Sequence, residues 1–191
     1  MRALVLFIII PLTLFAHDKK SEALLQDIKV YLSGIKSYHA KFVQTSEEET
    51  SYGNIYIKKP NMSIIYSGNQ NIKIVVRNDN LIYYDIDLDE ISKTSIDENP
   101  LLGILARSDY DFEKSFTNVS ASMEDNFVVL KLNDADGNEF SMHFFKNPML
   151  LHRVGYASAD SHIDMCFYNI QTNIKIPSEV FWIKRDLLNR K

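Results

Sequence analysis

Ser37-Tyr38-His39-Ala40-Lys41-Phe42-Val43-Gln44, Gly53-Asn54-Ile55-Tyr56-Ile57-Lys58-Lys59-Pro60-Asn61-Met62 and Leu81-Ile82-Tyr83-Tyr84-Asp85-Ile86-Asp87-Leu88 are the three segments that decide the fold. In the first, Tyr38, Ala40, Phe42 and Gln44 alternate with His39, Lys41 and Val43, the period of two that a half-buried strand requires. Each segment closes on turn chemistry. The Glu47-Glu48-Glu49 run reads as a solvated turn, and a hairpin partner begins near Gly53.

Strand signals then recur at regular spacing, at Asn54–Lys59, Met62–Ser67, Ile72–Arg77, Leu81–Ile86 and Leu88–Thr94. Lys59-Pro60-Asn61, Ser67-Gly68-Asn69 and Asn78-Asp79-Asn80 punctuate them. Connections this short fit antiparallel pairing, because parallel strands need crossovers of about a dozen residues or more. Upstream, Leu24, Leu25, Ile28, Tyr31, Leu32 and Ile35 fall three and four apart, which predicts a helix over 22–36 with Ser21 as its N-cap.

One helical signal interrupts the strands. Asn99 before Pro100 offers a cap and a first-turn proline, Leu101, Leu102, Ile104 and Leu105 follow, and Arg107 ends the last turn. Those apolar residues cover most of the circumference, too much for a helix lying on a polar surface. Strands resume at Phe116–Ser120, Asn126–Leu132, Glu139–Phe145, Leu150–Ala157, Ile163–Ile170 and Glu179–Lys184, with Asp134 to Asn138 as a hairpin loop. Two short helices cannot cover both faces of so large a sheet. The sheet must curl around something, and a wide or incomplete barrel encloses a cavity.

The ends of the chain bear on compartment. Arg2, the apolar run Ala3 to Ile10, Pro11 and Leu14-Phe15-Ala16 have the layout of a secretory signal peptide. Even counted on through Ala16, about 14 residues, the apolar stretch is short of the ~18–20 that span a bilayer. We therefore expect a signal peptide at 1–16, a single domain at 17–191 and export to the periplasm. Cys166, the one cysteine, allows no internal disulfide and reads as a buried thiol among Ile163, Met165 and Phe167. No cysteine ends the signal segment to carry acyl chains. The net charge of −4 and the absence of large Lys/Arg clusters argue against a nucleic-acid partner.

Catalytic patterns are weak. Asp85, Asp87, Asp89 and Glu90 alternate with apolar residues and read as the polar face of a strand. Asp134, Asp136 and Asn138 lack the glutamate that would complete a calcium loop. The histidines at 17, 39, 143, 152 and 162 have no metal-ligand spacing, and no nucleophile elbow or phosphate loop is present. Neither an enzyme nor a cofactor is expected.

The three opening segments, in that order, resemble the periplasmic lipoprotein carrier family, LolA. The family pattern runs as Phe-x-Gln, then Gly followed by a strand ending in two basic residues, Pro and Asn, then an aromatic pair with Asp. The resemblance runs from about Tyr38 to Arg107; the C-terminal third fits by strand count and spacing. It implies a mainly β fold, a single curled antiparallel sheet forming an unclosed barrel with a helical lid. It also implies a monomer that binds the acyl chains of lipoproteins released by an inner-membrane ABC transporter. An outer-membrane acceptor lipoprotein, where one exists, would receive them. The alternative is a periplasmic regulator of the same fold that senses lipid or lipoprotein.

The physical need is clear. A triacylated lipoprotein hides about 45 methylenes, and at ~0.8 kcal/mol each their exposure costs about 35 kcal/mol. On this reading Phe42, Ile55, Ile57, Met62, Ile64, Tyr66 and Tyr84 would line the cavity. Leu101, Leu102, Ile104 and Leu105 would form the lid's underside, and Leu24, Ile28 and Leu32 would add the first helix. The same residues fit an ordinary packed core, and periodicity does not separate the two. In the family the second basic residue before the proline is typically Arg, hydrogen-bonded to the lid. Lys59 stands there in this chain, either as a weaker latch or as a solvated lysine at a turn. Ser63 and Ile65 replace aromatic residues common after that proline.

Overall fold

The computed structural model describes residues 13–47, 49–68 and 71–184. The expected signal segment lies, for its first twelve residues, outside the described residues. Helix α1 (Thr13–Gly34) is followed by β1 (Ser37–Ser46), β2 (Thr50–Lys58), β3 (Asn61–Ser67), β4 (Ile72–Arg77), β5 (Asn80–Asp85) and β6 (Glu90–Ser95). A 3-10 turn, Ile96–Glu98, leads into α2 (Pro100–Ala106) and α3 (Phe112–Ser115). Then come β7 (Asn118–Glu124), β8 (Phe127–Asn133), β9 (Glu139–Lys146), β10 (Met149–Ala157), β11 (His162–Thr172) and a second 3-10 turn, Ser178–Phe181.

All eleven strands form one antiparallel sheet in the order β6-β5-β4-β3-β2-β1-β11-β10-β9-β8-β7. Among the described residues, only β1 and β11 join distant parts of the chain; every other neighbour is a hairpin partner. β6 and β7 are the two edges and do not pair with each other, so the barrel stays unclosed.

Register decides what faces inward. Phe42 lies opposite Gly53 on one side and Phe167 on the other, and Gly53 lies opposite Tyr66. The Phe42 and Tyr66 rings meet edge-on at 5.2 Å across that glycine. A Cβ on Gly53 would collide with the Ile65 carbonyl oxygen and the Phe42 ring, so the close approach of strands here needs glycine. Helix α1 fills the concave side of the C-terminal half. Tyr31 packs edge-on to Phe144 at 5.5 Å, and its hydroxyl accepts from the Leu151 N–H at 2.8 Å. Helix α2 covers the N-terminal half.

Several sequence expectations change. Ser21 is not an N-cap: α1 extends eight residues before it, and the Ser21 hydroxyl accepts from the Ala121 N–H on edge strand β7. The helix also stops at Gly34, short of Lys36. Glu179–Lys184 is not a strand. After the 3-10 turn Ser178–Phe181 the chain lies on the convex side of the sheet, where Ile183 packs with Val75, Ile82 and Tyr84, and Trp182 O accepts from Lys73 Nζ at 2.6 Å. Residues 86–89 turn the chain between β5 and β6 instead of continuing a strand, with the Asp85 carboxylate accepting from the Asp87 and Leu88 N–H groups. Helix α3 is additional, capped by Asp111. Cys166 is half-buried on the outer face, between the inward-facing Met165 and Phe167.

Candidate functional site

Between α2 and the concave sheet lies a cavity of about 620 Å³. Its floor and one wall come from Ile55, Ile64 and Tyr66 on β2 and β3, and the opposite wall from Val154 and Met165 on β10 and β11. Leu101, Leu102 and Leu105 form its roof. Strand alternation puts all the wall residues on one face, and the α2 turn presents Leu101, Leu102 and Leu105 together because residues three and four apart share a helix side. Away from the rim, its polar side chains are Gln44, Tyr66 and Tyr156. Tyr66 donates its hydroxyl to Gln44 Oε1 at 2.8 Å. Asp97, Glu98 and Asn99 on one side and Asp134, Asp136 and Asn138 on the other rim the mouth.

The expected lining residues separate into three groups. Ile55, Ile64, Tyr66, Leu101, Leu102 and Leu105 border the cavity. Leu24, Ile28, Leu32, Phe42, Ile57, Met62 and Ile104 lie in or against the packed core around it. Tyr84 lies on the opposite face of the sheet. The register pairs Val76 with Leu81 and Ile74 with Tyr83 on the concave side, so Ile82 and Tyr84 point outward, toward Ile183. The run Leu81-Ile82-Tyr83-Tyr84 is apolar on both faces, which concealed the parity. The wall from the C-terminal half, Phe140, Val154, Tyr156 and Met165, was missed, although each sits at an alternating position of its strand.

Lys59 sits where the two helices meet the sheet. Its ammonium donates to Leu32 O near the end of α1 at 2.6 Å and to Arg107 O at the end of α2 at 2.7 Å. Lysine's three rotatable donors let one nitrogen tie two separate helices, where a planar fork would favour paired acceptors. Burial pushes its pKa down to about 8, against the pull of the Asp109 charge in the other direction. Arg107 adds a second tie by pairing with Asp97 at 2.8 Å and Asp79 at 3.1 Å. The lid itself packs tightly: a Cβ on Gly103 would meet the Tyr110 ring at 2.9 Å. Glycine at this position is what admits that ring.

Among the described residues, no group of three or more His, Cys, Asp or Glu side chains could hold a metal ion. His39 stacks on Tyr56 at 4.5 Å, and His152 packs against Phe127 and Phe145, all on the convex side. Among the described residues, no helix is long and apolar enough to cross a membrane. The arrangement can shelter an apolar ligand beneath a cover held by one ammonium and one guanidinium.

Solved structures share this fold. An uncharacterized conserved protein from Thermus thermophilus superposes with a TM-score of 0.56 at 8% identity, over 86% of this chain and 94% of that one. A putative outer membrane lipoprotein-sorting protein domain from Vibrio parahaemolyticus gives 0.52 at 11% identity, over 90% and 99%. MucB in the MucA/MucB complex of Pseudomonas aeruginosa gives 0.52 at 9%, over 87% of this chain and 62% of that one. No curated protein matches the sequence. The profile of the family described as outer membrane lipoprotein carrier protein LolA matches residues 33–184, and the chain belongs to that family.

Proposed function

We propose that the protein is a periplasmic carrier that shelters the acyl chains of lipoproteins between two membranes, and that it performs no chemistry on them. The observation that carries this reading is the apolar cavity of about 620 Å³ under a lid tied by Lys59. It is supplied by an inner-membrane ABC transporter and unloads to an outer-membrane acceptor where one exists. At ~30 Å³ per methylene-sized group, taking the volume share of a water molecule as the yardstick, the cavity takes about 20 carbons. That is one acyl chain. A cargo with about 45 methylenes therefore requires the lid to lift and the unjoined edges to part.

The test uses residues 17–191 added to spheroplasts labelled with radioactive palmitate, with the supernatant assayed for a soluble one-to-one complex with labelled lipoprotein. A complex is the expected result. Its absence, with folded protein and a cognate transporter present, would refute the carrier role.

The one-chain volume favours a second reading, a sensor that reports a single acyl chain to a regulatory partner. A carrier loads all chains of its cargo and releases them to acceptor membranes. A sensor would bind free fatty acid one-to-one and fail to release lipoprotein from spheroplasts.

A further inference from the structure

The end of the barrel opposite the cavity mouth carries a second concavity, of about 490 Å³, with the opposite charge. Three lysines from distant parts of the sequence converge on it: Lys36 after α1, Lys58 at the end of β2 and Lys175 after β11. All three are exposed, and among the described residues no acidic one lines the pocket. This cationic pole belongs to a chain whose net charge is −4. Lys58 precedes Lys59, and Gly34 on the pocket wall lies two residues beyond Leu32, whose carbonyl accepts from Lys59.

We propose that this pocket is the docking site for a protruding acidic segment of a protein partner, placed to act on the Lys59 tie. The proposal rests on the carrier reading for the partner's purpose but not for its chemistry. A concave site takes a side chain or loop, whereas a flat anionic bilayer does not reach into it and is opposed by the net charge. Carboxylates seated among the three lysines contact the segments that carry Lys59 and its α1 acceptor, Leu32, while the cavity mouth at the far end stays free for cargo.

The probe is a fluorescein-labelled hexaglutamate peptide, followed by anisotropy at low salt. Wild type is expected to bind, with affinity falling as salt is raised. Exposed ion pairs are worth about threefold each, so Lys36→Ser/Lys58→Ser/Lys175→Ser should weaken binding roughly 30-fold. Lys114→Ser/Lys146→Ser, which removes exposed lysines elsewhere, should leave it unchanged. Bound peptide should also speed hydrogen exchange in α2. Equal binding by the triple and double variants, or unaltered α2 exchange at saturation, would overturn the proposal. So would retention on phosphatidylglycerol vesicles through the same three lysines, which would make the surface a membrane contact. Lipoprotein release from spheroplasts, assayed separately, reports on the carrier reading alone.

Discussion

Replacing Lys59 by Met tests whether one ammonium holds the cover shut. The side chain makes two charge-assisted hydrogen bonds, at 2.6 and 2.7 Å, to carbonyls on different helices. Such bonds contribute about 1.5–3 kcal/mol each, and the low end applies to a half-exposed group, giving ~3 kcal/mol in all. Methionine keeps much of the packing and removes the desolvation cost of the ammonium, which offsets roughly half of that loss. A net shift of about 1.5 kcal/mol toward the open lid is about tenfold in its equilibrium. Hydrogen exchange at two lid amides reads it directly: Gly103 N–H donates to Asn99 O and Arg107 N–H to Gly103 O. Both should exchange about tenfold faster in Lys59→Met, while strand amides such as Ala40 and Phe42 keep their protection. Lys59→Arg should restore most of the difference. Lid exchange within twofold of wild type in Lys59→Met would refute the latch.

Lys59 also sets a pH dependence. Its pKa falls from 10.5 in water to about 8 in the closed protein, so between those values the closed form binds fewer protons and gains stability as pH rises. The melting temperature of wild type relative to Lys59→Met should therefore climb between pH 8 and 10. Burial raises Tyr31 and Tyr66 to about 12, so their contribution is present below pH 10 and is lost above it, where melting temperatures should fall. Gly53→Ala forces a methyl group against Phe42 and the Ile65 carbonyl and should cost about 2–3 kcal/mol, lowering the melting temperature by roughly 5–10 °C. Leu102→Trp should fill the cavity beneath α2, cutting binding of a naphthylamine lipid dye at least tenfold with little change in melting temperature. Arg107→Gln removes the pairs with Asp97 and Asp79, so lid exchange should rise at low salt and match wild type at about 1 M salt, where screening has erased the difference.

Much of this architecture is legible in the residues. Alternation at Tyr38 to Gln44 and the short turns after it specify an antiparallel meander, and Asn99-Pro100 marks the start of the lid where the structure has it. What stayed hidden was long-range. Ser21 looks like a cap because its hydroxyl is suited to one, but its partner is Ala121, a hundred residues away. Tyr84 and Tyr83 are indistinguishable locally, and only the register through β4 sends one outward. Glu179 to Lys184 alternates like a strand because it lies against a sheet face, with Phe181 and Ile183 buried beneath it, yet it joins no ladder of the sheet. Lys59 stands out only through the family resemblance, and neither of the carbonyls its ammonium reaches, Leu32 O on α1 and Arg107 O on α2, can be read from the sequence.

The strand order carries a consequence for how the chain assembles. β1 to β6 and β7 to β11 are each meanders of neighbours in sequence, which close small loops and zip quickly. The one seam between them, β1 with β11, pairs Phe42 with Phe167 and must wait for nearly the whole chain to be synthesised. Until then β1 presents a bare edge beside exposed aromatic side chains, the condition under which sheets pair with the wrong neighbour. The cavity under α2 does not exist before that seam forms, because its two walls belong to different meanders. The last step of folding is thus also the step that creates a place for the ligand, and an incomplete molecule has nothing with which to hold one.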